Sequence, residues 1–178
     1  MCSNTLKPLS AEIVEAYRQL VAEIDEKIAE ILSASLQTPL QCGPGCDGCC
    51  MQFSVLPVEA ALVGQAVAVK GLNLEENQQS CVLLKDGLCS IYDLRPVICR
   101  TQGLPLAYVD EEAGAIEVSA CPLNFPEDYP LSHEELLYMD PFNSRLAQLN
   151  AQYCRENELD LEMRIPLAAC LVAPRSRS

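Results

Sequence analysis

The sequence predicts an α+β fold that is mainly α, with helices at both ends around a cysteine-rich, loop-rich centre carrying one or two small β-hairpins. Apolar residues recur at three- and four-residue steps near the N-terminus, and helix-capping residues recur after residue 132. Between them, eight of the eleven cysteines fall within residues 42–121. A length of 178 residues suits one domain, so we expect a single domain over 1–178, with its cysteine region at about 40–125.

The first element is a long amphipathic helix, predicted over residues 11–36. Ser10 is a suitable N-cap, and Pro39 closes the element. The apolar positions that follow the helical period are Ile13, Tyr17, Leu20, Ile24, Ile28, Ile31 and Leu32. We interpret this stripe as the face that packs on the core.

A second helix is predicted over residues 57–70, because Pro57 suits the first helical position and Gly71 suits the position after the last. A polar linker follows over 72–80. Residues 81–89, "CVLLKDGLC", predict a tight hairpin around "DG". Such a hairpin brings Cys81 and Cys89 together.

Pro96 interrupts the run "SIYDLRPVICR" at 90–100, so we expect a turn or short helix there. Residues 104–119 predict a second hairpin around "DEEAGA". The C-terminal part is predicted to be helical again. Ser132 and Glu135 form a capping box, and Asp140 and Pro141 suit the cap and first position of a further helix to about residue 157. A last apolar stretch at 165–173, "IPLAACLVA", is expected to pack on the core.

The charge of −13 makes some partners poor candidates. So acidic a chain repels phosphate backbones and anionic lipid surfaces, so we expect neither nucleic acid nor membrane as a partner. The N-terminal "MCSNTLKPLS" lacks the apolar region of a signal peptide, and no apolar run approaches the roughly 18 residues of a membrane span. We therefore expect a cytoplasmic protein. Thiols stay reduced there, and an odd number of cysteines fits disulfide pairing badly, so metal or redox chemistry is favoured.

The segment "QCGPGCDGCC", residues 41–50, points to a metal site. Core packing explains it poorly, because a Gly-Pro-Gly loop lacks the apolar partners of a core. Thiolates are soft ligands that select zinc, copper(I) and iron–sulfur clusters. The spacing of Cys42, Cys46 and Cys49 lets three sulfurs reach one tetrahedral site.

The adjacent pair Cys49 and Cys50 suggests more than one role, since neighbouring side chains in an extended segment point to opposite sides. They could serve two sites, or one could be a ligand and the other a redox thiol. Eight cysteines therefore form either a pair of four-thiolate sites or one cluster with spare thiols. C-x3-C-x2-C is also the spacing of radical S-adenosylmethionine enzymes, but a long helix precedes it here and 178 residues are few for their barrel.

Other residues have both a structural and a functional interpretation. Arg95 and Arg100 flank Cys99, where they either offset thiolate charge or form ordinary salt bridges. His133 is expected at the surface and Tyr92 in the core. The cysteines outside the cluster are Cys154 and Cys170, expected in the core, and Cys2, at a frayed terminus.

The runs "CGPGCDGCC", "CVLLKDGLCSIYDLRPVICR" and "CP" at 121–122 together resemble the bacterial and archaeal CxxCxxCC cysteine-cluster family, also called the YkgJ family, a zinc- or iron-chelating domain. The resemblance implies a metal-binding set of Cys42, Cys46, Cys49, Cys50, Cys81, Cys89, Cys99 and Cys121, with Arg95 and Arg100 beside it. The chain departs from the family name by having three residues, not two, between the first two cysteines.

The resemblance implies a metal-binding protein that holds an iron–sulfur cluster (4Fe-4S) or Zn²⁺ in a redox or accessory role, with an unknown protein or redox partner. Whether it is an enzyme stays open. One alternative is a cluster-dependent enzyme related to protein lysine N-methylases, because a similar cysteine cluster occurs in flagellin lysine N-methylases. The others are a zinc-structured interaction module and a metal carrier.

Overall fold

The computed structural model describes residues 6–35, 40–72 and 80–171. Within them the fold is α+β and mainly α, as predicted. The helices are α1 (Ala11–Glu30), α2 (Pro57–Lys70), α3 (Val97–Arg100) and α4 (Asp140–Asn157). A π-helical turn follows α1 over Ile31–Ser35, and 3₁₀ turns cover Tyr92–Leu94, His133–Glu135 and Leu167–Leu171. None of the described helices is both long enough and apolar enough to cross a bilayer.

The strands are short and form three small sheets in the described part of the chain. They are β1 (Ser54–Val55), β2 (Leu84–Lys85), β3 (Leu88–Cys89), β4 (Leu106–Asp110), β5 (Ala115–Ser119), β6 (Leu137–Tyr138) and β7 (Ile165–Pro166). Antiparallel β2–β3 and β4–β5 are the two predicted hairpins. The parallel pairing of β6 with β4 and the antiparallel pairing of β7 with β1 were not predicted.

Helix α1 begins as predicted, with the Ser10 hydroxyl accepting from the nitrogen of Ile13 at 3.3 Å. Its α geometry ends at Glu30, six residues before the predicted end. The π turn has more residues per turn than an α-helix, so it shifts the apolar stripe around the axis. Ile31 is buried, but Leu32, predicted on the core face, is 43% exposed.

Helix α2 lies between two hydrophobic cores, because it is apolar on almost every side. Pro57 stands in its first turn, and Gly71 ends it at φ 60°. The first core joins α2 to α1, α4 and the β4–β6 pair, and includes Ile13, Leu20, Ile24, Val58, Val97, Leu137 and Tyr153. The second core joins the opposite side of α2 to the cysteine region, and includes Val63, Val67, Val82, Leu83, Ile91 and Leu167.

The C-terminal elements agree with the predictions except at the start of α4, where Asp140 is the first helical residue and Pro141 the second. The capping box of Ser132 and Glu135 is present, although it begins only a 3₁₀ turn. The Asp140 carboxylate does not cap α4: it accepts from the Val109 nitrogen on β4 at 2.9 Å. The 165–171 segment packs on the second core through Leu167. Residues 172–173 and most of the predicted linker, 73–79, lie outside the described residues.

Candidate metal centre

The loop that holds Cys42, Cys46, Cys49 and Cys50 is bent by successive tight turns. The Cys46 nitrogen donates to the Gly43 carbonyl at 3.0 Å, and the Cys50 nitrogen donates to the Asp47 carbonyl at 2.8 Å. Gly45 is the third residue of the first turn and has φ 89°, in the region that favours glycine. The loop therefore folds back on itself within ten residues, as the glycine content predicts.

The β2–β3 hairpin lies against this loop. Its turn places Asp86 at φ 52° and Gly87 at φ 74°. A Cβ atom built on Gly87 would stand 3.5 Å from the Cα of Gly45, so the two turns are in close contact. The Cys81 nitrogen also donates to the Cys50 carbonyl at 3.0 Å. The hairpin thus brings its cysteines to the C-terminal end of the loop.

Helix α3 supplies Cys99. Its first turn follows Pro96, whose carbonyl accepts from the nitrogens of Cys99 at 3.0 Å and Arg100 at 2.9 Å. Cys99 packs against the second core together with Cys81 and Cys89. Three cysteines from two separate segments therefore share one apolar support.

Cys121 begins a turn that Asn124 ties to the cysteine loop. The Cys121 carbonyl accepts from the Asn124 nitrogen at 3.1 Å. The Asn124 side chain accepts from the Gln41 nitrogen at 2.8 Å and donates to the Gly103 carbonyl at 2.8 Å and the Cys42 sulfur at 3.2 Å. Asn124 was missed from the sequence: asparagine after "CP" suggests a turn, but nothing local indicates contacts across 82 residues.

Gly103 makes room for the Cys42 sulfur. A Cβ atom on Gly103 would stand 2.5 Å from Cys42 Sγ, and Gly103 has φ 97°. An L-residue would clash there and also be strained. This close approach was likewise not predicted.

The thiols interact electrostatically in two groups. Partial burial raises the pKa of Cys49, and the charges of Cys42, Cys46 and Cys121 raise it further. Burial raises the pKa of Cys50 to about 11, with added effects from Cys49, Cys81 and Cys89. A nearby cation would relieve this repulsion.

The thiols at and near α3 also have raised pKa values. Burial raises the pKa of Cys99 to about 12, and the charges of Cys81 and Cys89 contribute. Burial also raises the pKa of Cys81, with a contribution from Cys89. At neutral pH and without metal these sulfurs are therefore held as thiols.

Within the described residues, no group of three or more Cys, His, Asp or Glu side chains is already close enough to hold one ion. The eight thiols are neighbours, not a closed coordination shell, and metal binding requires them to draw together. Their chemistry suits a thiophilic metal, because all eight are free thiols. Seven of them are partly buried, and Cys42 is exposed. The sequence-based ligand set therefore stays a prediction.

The two arginines differ in role. Arg95 stacks over Tyr92, with its guanidinium carbon 3.6 Å from the ring centroid, and its charge lowers the pKa of the Cys99 thiol, opposing the larger effect of burial. Tyr92, expected in the core, is 57% exposed. Arg100 instead forms a salt bridge with Asp25 at 3.0 Å. Arg95 therefore opposes the charge of a cluster thiol, whereas Arg100 forms an ordinary salt bridge.

The remaining candidates lie apart from the cluster. His133 pairs with the Tyr138 hydroxyl at 3.1 Å on the surface, as expected. Cys154 is buried in α4, also as expected. Cys2 and the Cys170 side chain lie outside what the structure describes.

Glu59 is a buried acid that the sequence analysis did not single out. It is 3% exposed, and its Oε1 accepts from the Tyr17 hydroxyl at 3.0 Å and the Val97 nitrogen at 2.8 Å. Burial raises its pKa. The sequence signal for this buried acid was a single glutamate within the apolar run "PVEAALV".

A cavity of about 740 Å³ lies beside α3. Val97 and Ile98, which precede Cys99, form part of its wall, and Glu59 and Asn150 add polar groups. Its size is within the range of small-molecule sites.

Comparison with known proteins agrees with the resemblance. Residues 41–122 match the CxxCxxCC family model, described as "Putative zinc- or iron-chelating domain". No curated protein and no solved structure matches the chain. The resemblance is thus confirmed, and residues 41–122 match the CxxCxxCC family over the span that contains all eight cysteines of the candidate centre.

Proposed function

We propose that this protein binds a metal cofactor, an iron–sulfur cluster or zinc, through its eight clustered cysteines, in a redox or accessory role. The observation that carries the proposal is that free thiols from four segments lie near enough to affect one another's ionisation. The segments are the 41–50 loop, the β2–β3 hairpin, α3 and the turn at Cys121. The mutual charges of these thiols oppose ionisation. A bound cation reverses that penalty, because thiolates are its ligands.

The surroundings have the features of a thiolate site. The second core shields Cys81, Cys89 and Cys99 on one side. Asn124 donates to the Cys42 sulfur, and the Arg95 charge acts on Cys99. Such hydrogen bonds and charges stabilise thiolates around a metal. When bound, an iron–sulfur cluster would supply one-electron transfer, and closed zinc sites would supply structural cross-links.

The donor set supports these two cofactors over metals that prefer oxygen ligands. It contains sulfur only, which disfavours magnesium, calcium and manganese. His133 is engaged with Tyr138. We further propose a cytoplasmic location, because a reducing compartment keeps these thiols available for metal, and a protein partner that meets the centre at the exposed Cys42 end.

The test is metal and acid-labile sulfide content, with a visible spectrum, on protein purified without oxygen. Iron with equivalent sulfide and a brown colour identifies a cluster, whereas zinc without sulfide or colour identifies zinc sites. Replacing Cys81 and Cys89 by serine is expected to lower the metal content, whereas Cys154→Ser, in α4, leaves it unchanged. Protein that is metal-free under all these conditions and binds neither metal on reconstitution contradicts the proposal.

The cavity beside α3 favours a second candidate, a cluster-dependent enzyme related to protein lysine N-methylases. The candidate predicts that the loaded protein binds S-adenosylmethionine at this cavity. Ala147 lines the cavity and is exposed, so Ala147→Phe narrows the cavity with little cost to the fold. Equilibrium dialysis should show binding to the parent chain and its loss in Ala147→Phe with unchanged metal content. No binding by the parent removes this candidate.

A further inference from the structure

The Cys49–Cys50 peptide bond separates two groups of neighbouring cysteines in the structure. On its N-terminal side, Cys42 is tied to the turn that starts at Cys121. Asn124 makes this connection, since its side chain contacts both the Gln41 nitrogen and the Cys42 sulfur, and its backbone nitrogen donates to the Cys121 carbonyl. Cys42 therefore has Cys121 as its long-range neighbour, and the charge of Cys121 also reaches Cys49.

On the C-terminal side, the chain is tied to different cysteines. The Cys50 carbonyl accepts from the Cys81 nitrogen, and Cys89 lies across the hairpin from Leu84, whose nitrogen donates to the Cys81 carbonyl. Cys81, Cys89 and Cys99 pack against the second core. The long-range neighbours of Cys50 are therefore the cysteines of the hairpin and α3.

Electrostatic interactions between the thiols follow the same division. Cys49 interacts with Cys42, Cys46 and Cys121, whereas Cys99 interacts with Cys81 and Cys89. Cys50 interacts with Cys81 and Cys89, and also with its chain neighbour Cys49. Cys49 lies in the turn that ends at Cys50, so the division rests on the long-range neighbours of each thiol and not on an extended backbone.

We propose that the eight cysteines form two separate four-thiolate metal sites. The first site is Cys42, Cys46, Cys49 and Cys121, and the second is Cys50, Cys81, Cys89 and Cys99. This inference rests on the proposed metal binding and deepens it. Four ligands complete the tetrahedral set of one zinc ion or the four corners of one cluster, so no thiol is left over.

Cobalt(II) titration of reduced, metal-free protein without oxygen tests the division, because thiolate-to-cobalt absorption reports each filled site. The parent chain should bind about two Co²⁺ ions. Cys121→Ser should lose the first site and Cys99→Ser the second, each leaving about one ion. Cys154→Ser is the matched control and should behave like the parent.

Double variants make the test decisive, because residues that act as one unit give non-additive losses. Cys49→Ser with Cys121→Ser should lose no more tetrathiolate cobalt than either single variant, since both belong to the first site. Cys121→Ser with Cys99→Ser should lose both sites. If the same-site pair loses both, or the parent binds only about one ion, the division is wrong although the metal-binding proposal stands. If the parent binds no cobalt, zinc or iron, both proposals fail.

A second measurement needs no variant and so avoids loss of folding. Chelator is added to loaded parent protein until about half the metal is removed, and exposed thiols are alkylated and located by peptide mass spectrometry. Two sites of unequal affinity predict that four cysteines become modified together while the other four stay protected. If the two affinities are equal, the intact masses should show molecules with none, four or eight modified cysteines, whereas other numbers or sets that mix Cys121 with Cys99 overturn the division.

Discussion

The Nη1 atom of Arg100 lies 3.0 Å from both carboxylate oxygens of Asp25. This contact joins α3, which carries Cys99, to α1, 75 residues away. The Arg100 side chain is only 9% exposed, whereas that of Asp25 is 50% exposed. Arg100 therefore anchors the cysteine region to the helical part of the fold.

Asp25→Asn is expected to destabilise the fold by about 1 kcal/mol, because it removes the counter-charge of a mostly buried guanidinium while part of the loss is screened by solvent. Urea denaturation measures the change. Glu15→Gln is the matched control on the same helix: its pair with Arg18 spans 4.0 Å between exposed side chains, so no change is expected. Equal losses in both variants would show that the Arg100 pair has no special role.

Replacing Glu59 separates its hydrogen bonds from its charge. Glu59→Leu leaves the Val97 N–H and the Tyr17 hydroxyl without their buried acceptor, so we expect a loss of about 3 kcal/mol. Glu59→Gln keeps an acceptor and removes the buried charge, so its stability at neutral pH should approach that of the parent.

The pH dependence has a defined sign here. Burial raises the folded-state pKa of Glu59 above its unfolded value, so its stabilising effect is present at low pH and is lost as pH rises through the folded pKa. Denaturation from acid to neutral pH should therefore show Glu59→Gln gaining relative to the parent as pH rises. If Glu59→Gln instead loses stability relative to the parent as pH rises, the folded protein stabilises the ionised Glu59 carboxylate.

The metal-free protein is expected to lose stability in alkali. The folded pKa values of Cys50 and Cys99 are raised from 9.0 to about 11 and about 12. Above pH 9 the unfolded chain loses these protons first, so the free energy of unfolding falls as pH rises toward 11. Denaturation at several pH values measures the slope, and Cys50→Ser with Cys99→Ser should flatten it. Conversely, zinc affinity should fall as pH falls, because binding displaces thiol protons.

Gly103→Ala tests the packing of Cys42. The added methyl group would stand 2.5 Å from the sulfur at a residue with φ 97°, so we expect a loss of about 2 kcal/mol and weaker metal binding. Gly43→Ala is the control in the cysteine loop, since a Cβ atom there meets nothing within 4 Å. Thermal unfolding and zinc competition with a chelator measure the two effects. Equal behaviour of both variants would contradict the close contact at Gly103.

Asn124→Asp tests the link between the loop and the Cys121 turn. The aspartate keeps an acceptor for the Gln41 nitrogen, but its second oxygen repels the Gly103 carbonyl and the Cys42 thiolate. We expect metal affinity to fall about tenfold, as for other residues that orient ligands. Asn157→Asp, which alters a hydrogen bond to Tyr153 within α4, should leave affinity unchanged. Chelator competition distinguishes the two.

Local signals account for what was predicted correctly. Helices α1 and α2, the "DG" hairpin and the hairpin of residues 104–119 depend on short-range periodicity, caps and turn residues. The errors arose where another contact or helix geometry replaced the expected one. Asp140 bonds to Val109 rather than capping α4, the π turn after Glu30 exposes Leu32, and Arg95 holds Tyr92 at the surface.

By itself, the sequence determined which atoms are available for chemistry: eight clustered thiols in turn-rich segments, with sulfur as the shared donor. Turn formation and donor type are properties of neighbouring residues, so they can be read locally. Only the tertiary structure decided which thiols are neighbours. Cys42 meets the Cys121 turn through Asn124, and Cys50 meets Cys81, because chain segments far apart in sequence close around the two sides of the loop. Those closures join residues more than 30 positions apart, which no local pattern specifies.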